Sequence, residues 1–360
     1  MKKIKRNFVK NILQSNNYKN KKILFVKNVK FDLRYEDNTN IIELVLPYPV
    51  LKNEMKFYEN FFWDQIKNEY PNSKIEVKFE TPAYSTNHKK NISSIKNVIA
   101  VSSGKGGVGK STIASNIAFA MKSQGAKVGI LDLDIYGPSI PLILSTKNII
   151  PKYTNNKINP IEIFGIQTMS IGNLIDYDSP IVWRGPMVSS AVNKLFYDTN
   201  WKSLDYLIID LPPGTGDIHL TLIKNIPITG SILVSTPQSL SVFDTIKAYH
   251  MFYKTKIPIL GIVENMSYFN CDSCQKKHNI FDKDLNKKFK NYKISKLISL
   301  PIDVSLRQKS DNGNIKDIYY LKKNISYKFI KLSKMIFHKI NLLPISDYIN
   351  KKKFFAEIND

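Results

Sequence analysis

Gly104-Lys105-Gly106-Gly107-Val108-Gly109-Lys110-Ser111-Thr112 is the stretch that decides the fold of this chain. Its first eight residues satisfy G-x-x-x-x-G-K-[ST], the phosphate-binding loop. The apolar run Val98-Ile99-Ala100-Val101 precedes it, and the helical run Ile113 to Met121 follows. The order is therefore strand, glycine-rich loop, helix. Glycines permit positive φ and let the backbone approach an anion. The freed N–H groups of Gly104 to Thr112 and the helix N-terminus then cradle phosphate oxygens. Lys110 is placed to reach the β- and γ-phosphates, and the Ser111 hydroxyl to sit on Mg²⁺.

Outward from this loop, strands alternate with helices from Asn97 onward. Candidate strands are 98–102, 128–133, 206–210, 231–235 and 259–263, with 297–300 as a further edge strand and Tyr319 to Ile340 as a C-terminal helix. This alternation predicts an α/β fold, a mainly parallel sheet flanked by helices. Two candidate strands end in acids. Val128-Gly129-Ile130-Leu131-Asp132-Leu133-Asp134 carries two, and Tyr206-Leu207-Ile208-Ile209-Asp210 carries one. Carboxylates at strand C-termini face the crevice where such folds bind ligands. Asp210, followed by Leu211-Pro212-Pro213-Gly214-Thr215-Gly216-Asp217, reads as a Walker B acid holding Mg²⁺ through water. Asp132 and Asp134 also fit as helix N-caps. The Pro/Gly-rich segment after Asp210 reads as a switch that senses the γ-phosphate.

Composition sets limits. The 360 residues suffice for one large core and a smaller domain. No run of 18 apolar residues appears, and the basic N-terminus lacks a following apolar segment, so neither a membrane span nor a secretory signal is expected. The net charge is +23, from 53 Lys and Arg against 30 Asp and Glu. Taken alone it suggests an anionic partner. The lysines are spread along a chain rich in Lys, Asn and Ile, however, and are not grouped with a nucleic-acid motif. Neither nucleic acid nor membrane is expected as a partner. Two cysteines in 360 residues argue against a disulfide scaffold and for a reducing, cytoplasmic setting.

Those cysteines form a C-x-x-C, Cys271-Asp272-Ser273-Cys274. A redox pair, a disulfide, two unrelated thiols and a metal site are all compatible with that spacing. A thioredoxin-type pair sits near the first strands of its fold, whereas this one comes late. A [4Fe–4S] cluster or a Cys₄ zinc site needs four thiolates, and one chain has two. A two-fold dimer would supply four.

The motifs resemble a known family. GKGGVGKST is similar to the deviant Walker A of the MinD/ParA/Mrp class, in which a second lysine, here Lys105, reaches the partner subunit's nucleotide. DLDIYGPS (Asp132 to Ser139), DLPPGTGD (Asp210 to Asp217) and Trp183-Arg184-Gly185-Pro186-Met187 resemble segments of the Mrp/ApbC-type iron–sulfur cluster carriers. The resemblance spans residues 97 to about 315. It implies an ATPase that uses ATP and Mg²⁺, holds a [4Fe–4S] cluster between the Cys271 and Cys274 loops of a homodimer, and passes it to apo iron–sulfur acceptor proteins. It further implies that Lys105, Lys110, Asp134 and Asp210 are catalytic and that Asp134 orients the attacking water. Asp132 supports the Mg²⁺ shell on this reading. Asn265, in Val263-Glu264-Asn265-Met266-Ser267, reads the adenine edge, and Leu300-Pro301-Ile302-Asp303 packs near it. After Cys274 the chain departs from the family: Gln275-Lys276-Lys277-His278-Asn279 replaces a glycine-rich stretch.

The expected organisation is a small α+β domain over 1–81, a polar linker over 82–96, the ATPase over 97–345 and a polar tail over 346–360. In the first domain Ile4 to Gln14 and Lys52 to Tyr70 read as helices, and 23–26, 41–46 and 74–79 as strands. That domain resembles, more weakly, a small iron–sulfur-assembly domain, without its D-P-E motif or cysteine. Two other functions remain open at this level. One is a MinD/ParA-like positioning switch on membrane or DNA, which the charge favours. The other is a zinc-bridged interaction module.

Overall fold

The computed structural model describes residues 3–14, 17–18, 21–22, 28–86, 92–174, 185–271, 273–274, 276–281, 289–292, 294–321 and 324–346. The chain divides into two compact units. One comprises residues 1–82 with 341–344, and the other holds the remainder.

The smaller unit runs α1 (Arg6–Gln14), β1 (Lys30–Glu36), β2 (Thr39–Leu46), α2 (Lys52–Ile66) and β3 (Ser73–Phe79). β2 is central, antiparallel to β1 and parallel to β3. Its residues alternate between buried and half-buried, the period of a sheet with one face against a core. Ile42 and Leu44 from that face pack with Phe61, Phe62 and Ile66 of α2. The expected strand at 23–26 lies outside the described residues. The first long strand of this unit is instead β1, whose sequence KFDLRYE alternates apolar and charged residues.

The larger unit holds a nine-stranded sheet. Its strands are β4 (Ile95–Ser103), β5 (Val128–Asp132), β6 (Ile161–Ile163), β7 (Ile166–Ser170), β8 (Leu204–Pro213), β9 (Gly230–Ser235), β10 (Ile259–Asn270), β11 (Lys277–His278) and β12 (Lys296–Ile302). The order is β6-β7-β5-β8-β4-β9-β10-β11, with β12 also paired to β10. All neighbours are parallel except β6 with β7 and β10 with β11. The central strands are apolar and buried along their length, as expected where helices cover both faces. Val98, Ala100, Leu207, Ile209 and Leu233 lie in the main core cluster. The C-terminal ends of β4, β5 and β8 lie side by side and open into one crevice, the place where such sheets bind ligands.

Helices of this unit include α3 (Lys110–Ser123), α4 (Ile140–Ile143), α5 (Gly185–Val192), α6 (Asp217–Asn225), α7 (Ser239–Lys254), α8 (Val304–Asp311), α9 (Lys316–Tyr320) and α10 (Asn324–Asn341). The expected single helix from Tyr319 to Ile340 is thus two helices. The described ends of the expected linker at 82–96 are also tied down, residues 87–91 lying outside the described residues. Tyr84 is buried, its N–H donates to the Asn97 side chain at 3.1 Å, and it bridges Ile345, while β4 already begins at Ile95. β10 is twelve residues long and irregular: Met266 has φ +53°, and the pairing with β12 shifts register between Glu264 and Tyr268.

The ring of Phe337 on α10 lies 5.2 Å from that of Tyr206 on β8, and both are buried. Phe337→Ala is expected to destabilise this unit by about 3–5 kcal/mol, read as a lower urea midpoint at unchanged m-value.

Candidate functional site

The phosphate loop joins β4 to α3 and is braced from two sides. Gly109, at the head of α3, has φ +84°. The Asn265 amide on β10 donates to the Val108 carbonyl at 2.9 Å, and any Cβ on Gly109 would overlap that amide. A Cβ on Gly104 would overlap the Asp244 backbone of α7. The loop, with Lys105, Lys110, Ser111, Asp134 and Pro213, borders a cleft of about 530 Å³.

Within the cleft the structure brings Lys110, Asp134 and Asp210 together. The Lys110 ammonium donates to Asp210 Oδ1 at 2.6 Å and to Asp134 Oδ2 at 3.1 Å, with Ser111 Oγ at 3.4 Å. Asp134 Oδ1 and Asp210 Oδ2 are buried and without hydrogen-bond partners. Asp132 has different partners. Its oxygens accept from the Asp134 N–H at 3.0 Å, the Ile140 N–H at 3.1 Å and the Ser170 hydroxyl at 3.0 Å. It therefore shapes the 132–140 segment rather than facing the cleft.

Three carboxyls around one ammonium leave the cluster short of positive charge. Burial pushes Asp132 up to about 8 against the pull of Lys110, and burial likewise raises Asp210. For Lys110 burial favours the neutral amine, but Asp210 and Asp134 outweigh it and hold the group above the ordinary lysine range. Two orphaned carboxylate oxygens beside the Ser111 hydroxyl form an oxygen-rich, anionic donor set. That set fits Mg²⁺, a hard cation that takes oxygen ligands and keeps several waters.

Lys105 folds back within its own chain, its ammonium 3.0 Å from Gln238 Oε1 at the start of α7. Trp183 and Arg184 lie outside the described residues, while Gly185-Pro186-Met187 opens α5. Asp303 accepts the Leu306 N–H at 2.8 Å and caps α8.

The cysteines sit at the tip of a hairpin. β10 and β11 pair antiparallel through Phe269 with His278 and Asn270 with Lys277, and the Cys271 N–H donates to the Lys276 carbonyl at 3.0 Å. Neither cysteine is in a disulfide; Cys271 is half-buried and Cys274 exposed. Among the described residues no group of three or more His, Cys, Asp or Glu side chains surrounds a metal position. His278 is exposed. The Lys277 ammonium lies 4.1 Å from the centre of the Tyr268 ring. No helix among the described residues is long and apolar enough to cross a membrane.

A phosphate cradle at the end of a central parallel strand, with a Walker lysine on one acid of β8 and one just past β5, defines a P-loop NTPase. The profile of the ParA-type family described as the NUBPL iron-transfer P-loop NTPase matches residues 94–337, and the chain belongs to that family. It is 49% identical over 225 residues to an iron–sulfur cluster transfer protein NUBPL of Dictyostelium discoideum, covering 62% of this chain and 70% of the relative. It is 45% identical over 252 residues to an iron–sulfur cluster carrier protein of Haemophilus influenzae, covering 69% and 68%. Among solved structures, a nucleotide-binding protein from Archaeoglobus fulgidus in complex with ADP matches with TM-score 0.58 and 36% identity, over 66% of this chain and 93% of that one. The MinD cell division ATPase of Pyrococcus furiosus shares the fold, with TM-score 0.52 and 21% identity over 67% and 98%.

Two residues escaped the motif reading. Gln238 contacts Lys105 across 133 positions, which no local pattern reveals. His219 is buried on α6, with Nε2 2.9 Å from the Pro212 carbonyl. Its signal was present: with Leu222 and Ile223 it makes an i, i+3, i+4 buried stripe directly after the switch segment.

Gly104→Ala is expected to destabilise the protein and weaken ATP binding together, because the Asp244 backbone cannot withdraw without moving α7. Thermal melting with and without ATP checks this. His219 yields a pH dependence. Burial lowers its pKa; the Pro212 and Pro213 carbonyls and Asp134 oppose this, and Lys110 adds slightly to it. Below about pH 6.5 the unfolded chain binds a proton that the folded one resists, so His219 subtracts stability as pH falls. His219→Gln should flatten that fall by at most about 1.4 kcal/mol per pH unit, measured by urea unfolding between pH 5 and 7.

Proposed function

We propose that this chain is an ATP-hydrolysing iron–sulfur cluster carrier that works as a homodimer. The observation that carries the reading is the hairpin. It presents two cysteines, neither in a disulfide, at its tip, half of the four thiolates a [4Fe–4S] cluster takes. A second copy related by a two-fold axis supplies the other two, giving Cys271 and Cys274 from each subunit. The cluster is cargo, held there and passed to apo-acceptors, and cysteines outside any disulfide fit a reducing, cytoplasmic setting.

ATP is the substrate of the other site. The backbone N–H groups of Gly106 to Thr112 and the start of α3 receive its phosphates. Lys110 then exchanges Asp210 and Asp134 for phosphate oxygens. That exchange frees an Asp134 oxygen to orient the attacking water. Asp210 and Ser111 would hold Mg²⁺, which neutralises phosphate charge, with Asp132 fixing the backbone behind them. Asn265 keeps an amide N–H and its carbonyl for the adenine edge while bracing Val108. Lys105 leaves Gln238 to reach the partner subunit's nucleotide. Exchange of ATP for ADP resets the 210–217 segment. The dimer shifts between cluster-holding and cluster-releasing states only to the extent that ATP binds one of them more tightly.

Anaerobic reconstitution with iron and sulfide tests this on wild type and on the Cys271→Ala/Cys274→Ala variant. About four iron and four sulfide per dimer are expected in wild type, and none in the variant, which keeps its ATP turnover. Cluster delivery to an apo-acceptor at the wild-type rate by the cysteine-free variant would sink the reading.

A further inference from the structure

We propose that His219 is the positioning residue of the switch: a neutral imidazole that ties the Pro212 carbonyl to α6 and holds the loop after Asp210 in register with the phosphate loop. The proposal deepens the ATPase reading and rests on it only for the catalytic consequence.

The loop after Asp210 is anchored in front by β4 and β5. The Gly214 N–H donates to the Ser103 carbonyl at 2.9 Å, at the mouth of the phosphate loop. The Leu133 N–H donates to the Asp210 carbonyl at 2.9 Å. From behind, the His219 ring meets the loop. A carbonyl can only accept, so the Nε2 that lies 2.9 Å from Pro212 carries the hydrogen. Nδ1 is then a bare lone pair, buried and without a donor. The ring's directed contact is thus with the backbone of the Pro212-Pro213 pair. Gly214, at φ +107°, passes over it, and a Cβ there would sit 3.4 Å from Cε1. That distance is an ordinary van der Waals contact, so the backbone angle rather than the ring calls for glycine at 214.

His219 belongs to the stripe that also buries Leu222 and Ile223, so α6 is fixed in the core and α5 packs against it. A displacement of Pro212 therefore either breaks the imidazole bond or drags α6 with it. Nucleotide-dependent motion of the switch is passed to a helix whose far side is not part of the cleft.

The test separates the directed bond from simple packing. His219→Leu fills the space without a donor, and His219→Gln restores an N–H at similar reach. Hydrogen exchange of the amides at 214–217 is followed in the full chain without nucleotide. Exchange about fivefold to tenfold faster is expected in the leucine variant, with wild-type protection in the glutamine variant. In steady-state ATP turnover the leucine variant should lose kcat by a similar factor with KM within about twofold, and glutamine should restore it. Wild-type exchange in the leucine variant, or equal loss of protection in both variants at native circular dichroism, overturns the proposal. Should the leucine variant not fold, the glutamine variant carries the test: the tether requires wild-type protection. The expected exchange pattern without ATP turnover in any protein, wild type included, would remove the ATPase reading and leave the tether standing.

Discussion

The ion pair between Lys110 and Asp210 is the contact on which the rest depends. A buried ammonium is tolerable only beside compensating charge, and buried carboxylates are tolerable only beside a cation. The lysine comes from the head of α3, Asp210 from β8, and Asp134 from the segment after β5. Correct burial of any one requires three separate chain segments to converge at the same end of the sheet. The pair is also overcommitted. One ammonium serves two carboxylates directly, with Asp132 behind them, and two oxygens are left without partners. An arrangement that would be a defect in a structural core becomes useful where ligands of opposite charge come and go. A triphosphate offers the lysine a denser set of oxygens, and a divalent ion offers the acids a denser charge.

The same logic explains why the loop is built as it is. The glycine at 104 is set by the approach of α7, and the glycine at 109 by the left-handed turn and the Asn265 amide. Neither is there for flexibility. Each marks a place where a second element lies so close that a methyl group has no room. The loop is thereby preorganised before ligand arrives, which lowers the ordering cost of binding.

How much of this was legible in the sequence depended on how local the signal was. The phosphate loop, the acid-ended strands and their order along the chain could be read directly, because each motif lies within a dozen residues. β1 was missed because its charged residues alternate with only half-buried apolar ones, so the strand lacks an apolar run. Asp132 and Asp134 look alike in sequence and differ in space. The first ends the strand and is consumed by two backbone N–H groups and Ser170; the second lies beyond it and faces the lysine. Asn265 suggested a base contact from its amide chemistry, but its bond to Val108 spans 157 positions and belongs to no motif. What a side chain can do is written locally; which neighbour it meets is decided by the sheet order.

β10 joins the two halves of the chemistry. Asn265 braces the phosphate loop from its middle, and the cysteine hairpin grows from its end, six residues or about 20 Å further along an extended chain. Between them the strand is not straight. Met266 takes a left-handed backbone turn, and the pairing with β12 slips between Glu264 and Tyr268. A rod with a joint in it behaves as a lever. A small rotation at the joint, prompted by tension or slack at Val108, would sweep the thiols through a wider arc than the one that started it. The kink makes β10 a jointed link between the phosphate loop and the cysteine hairpin.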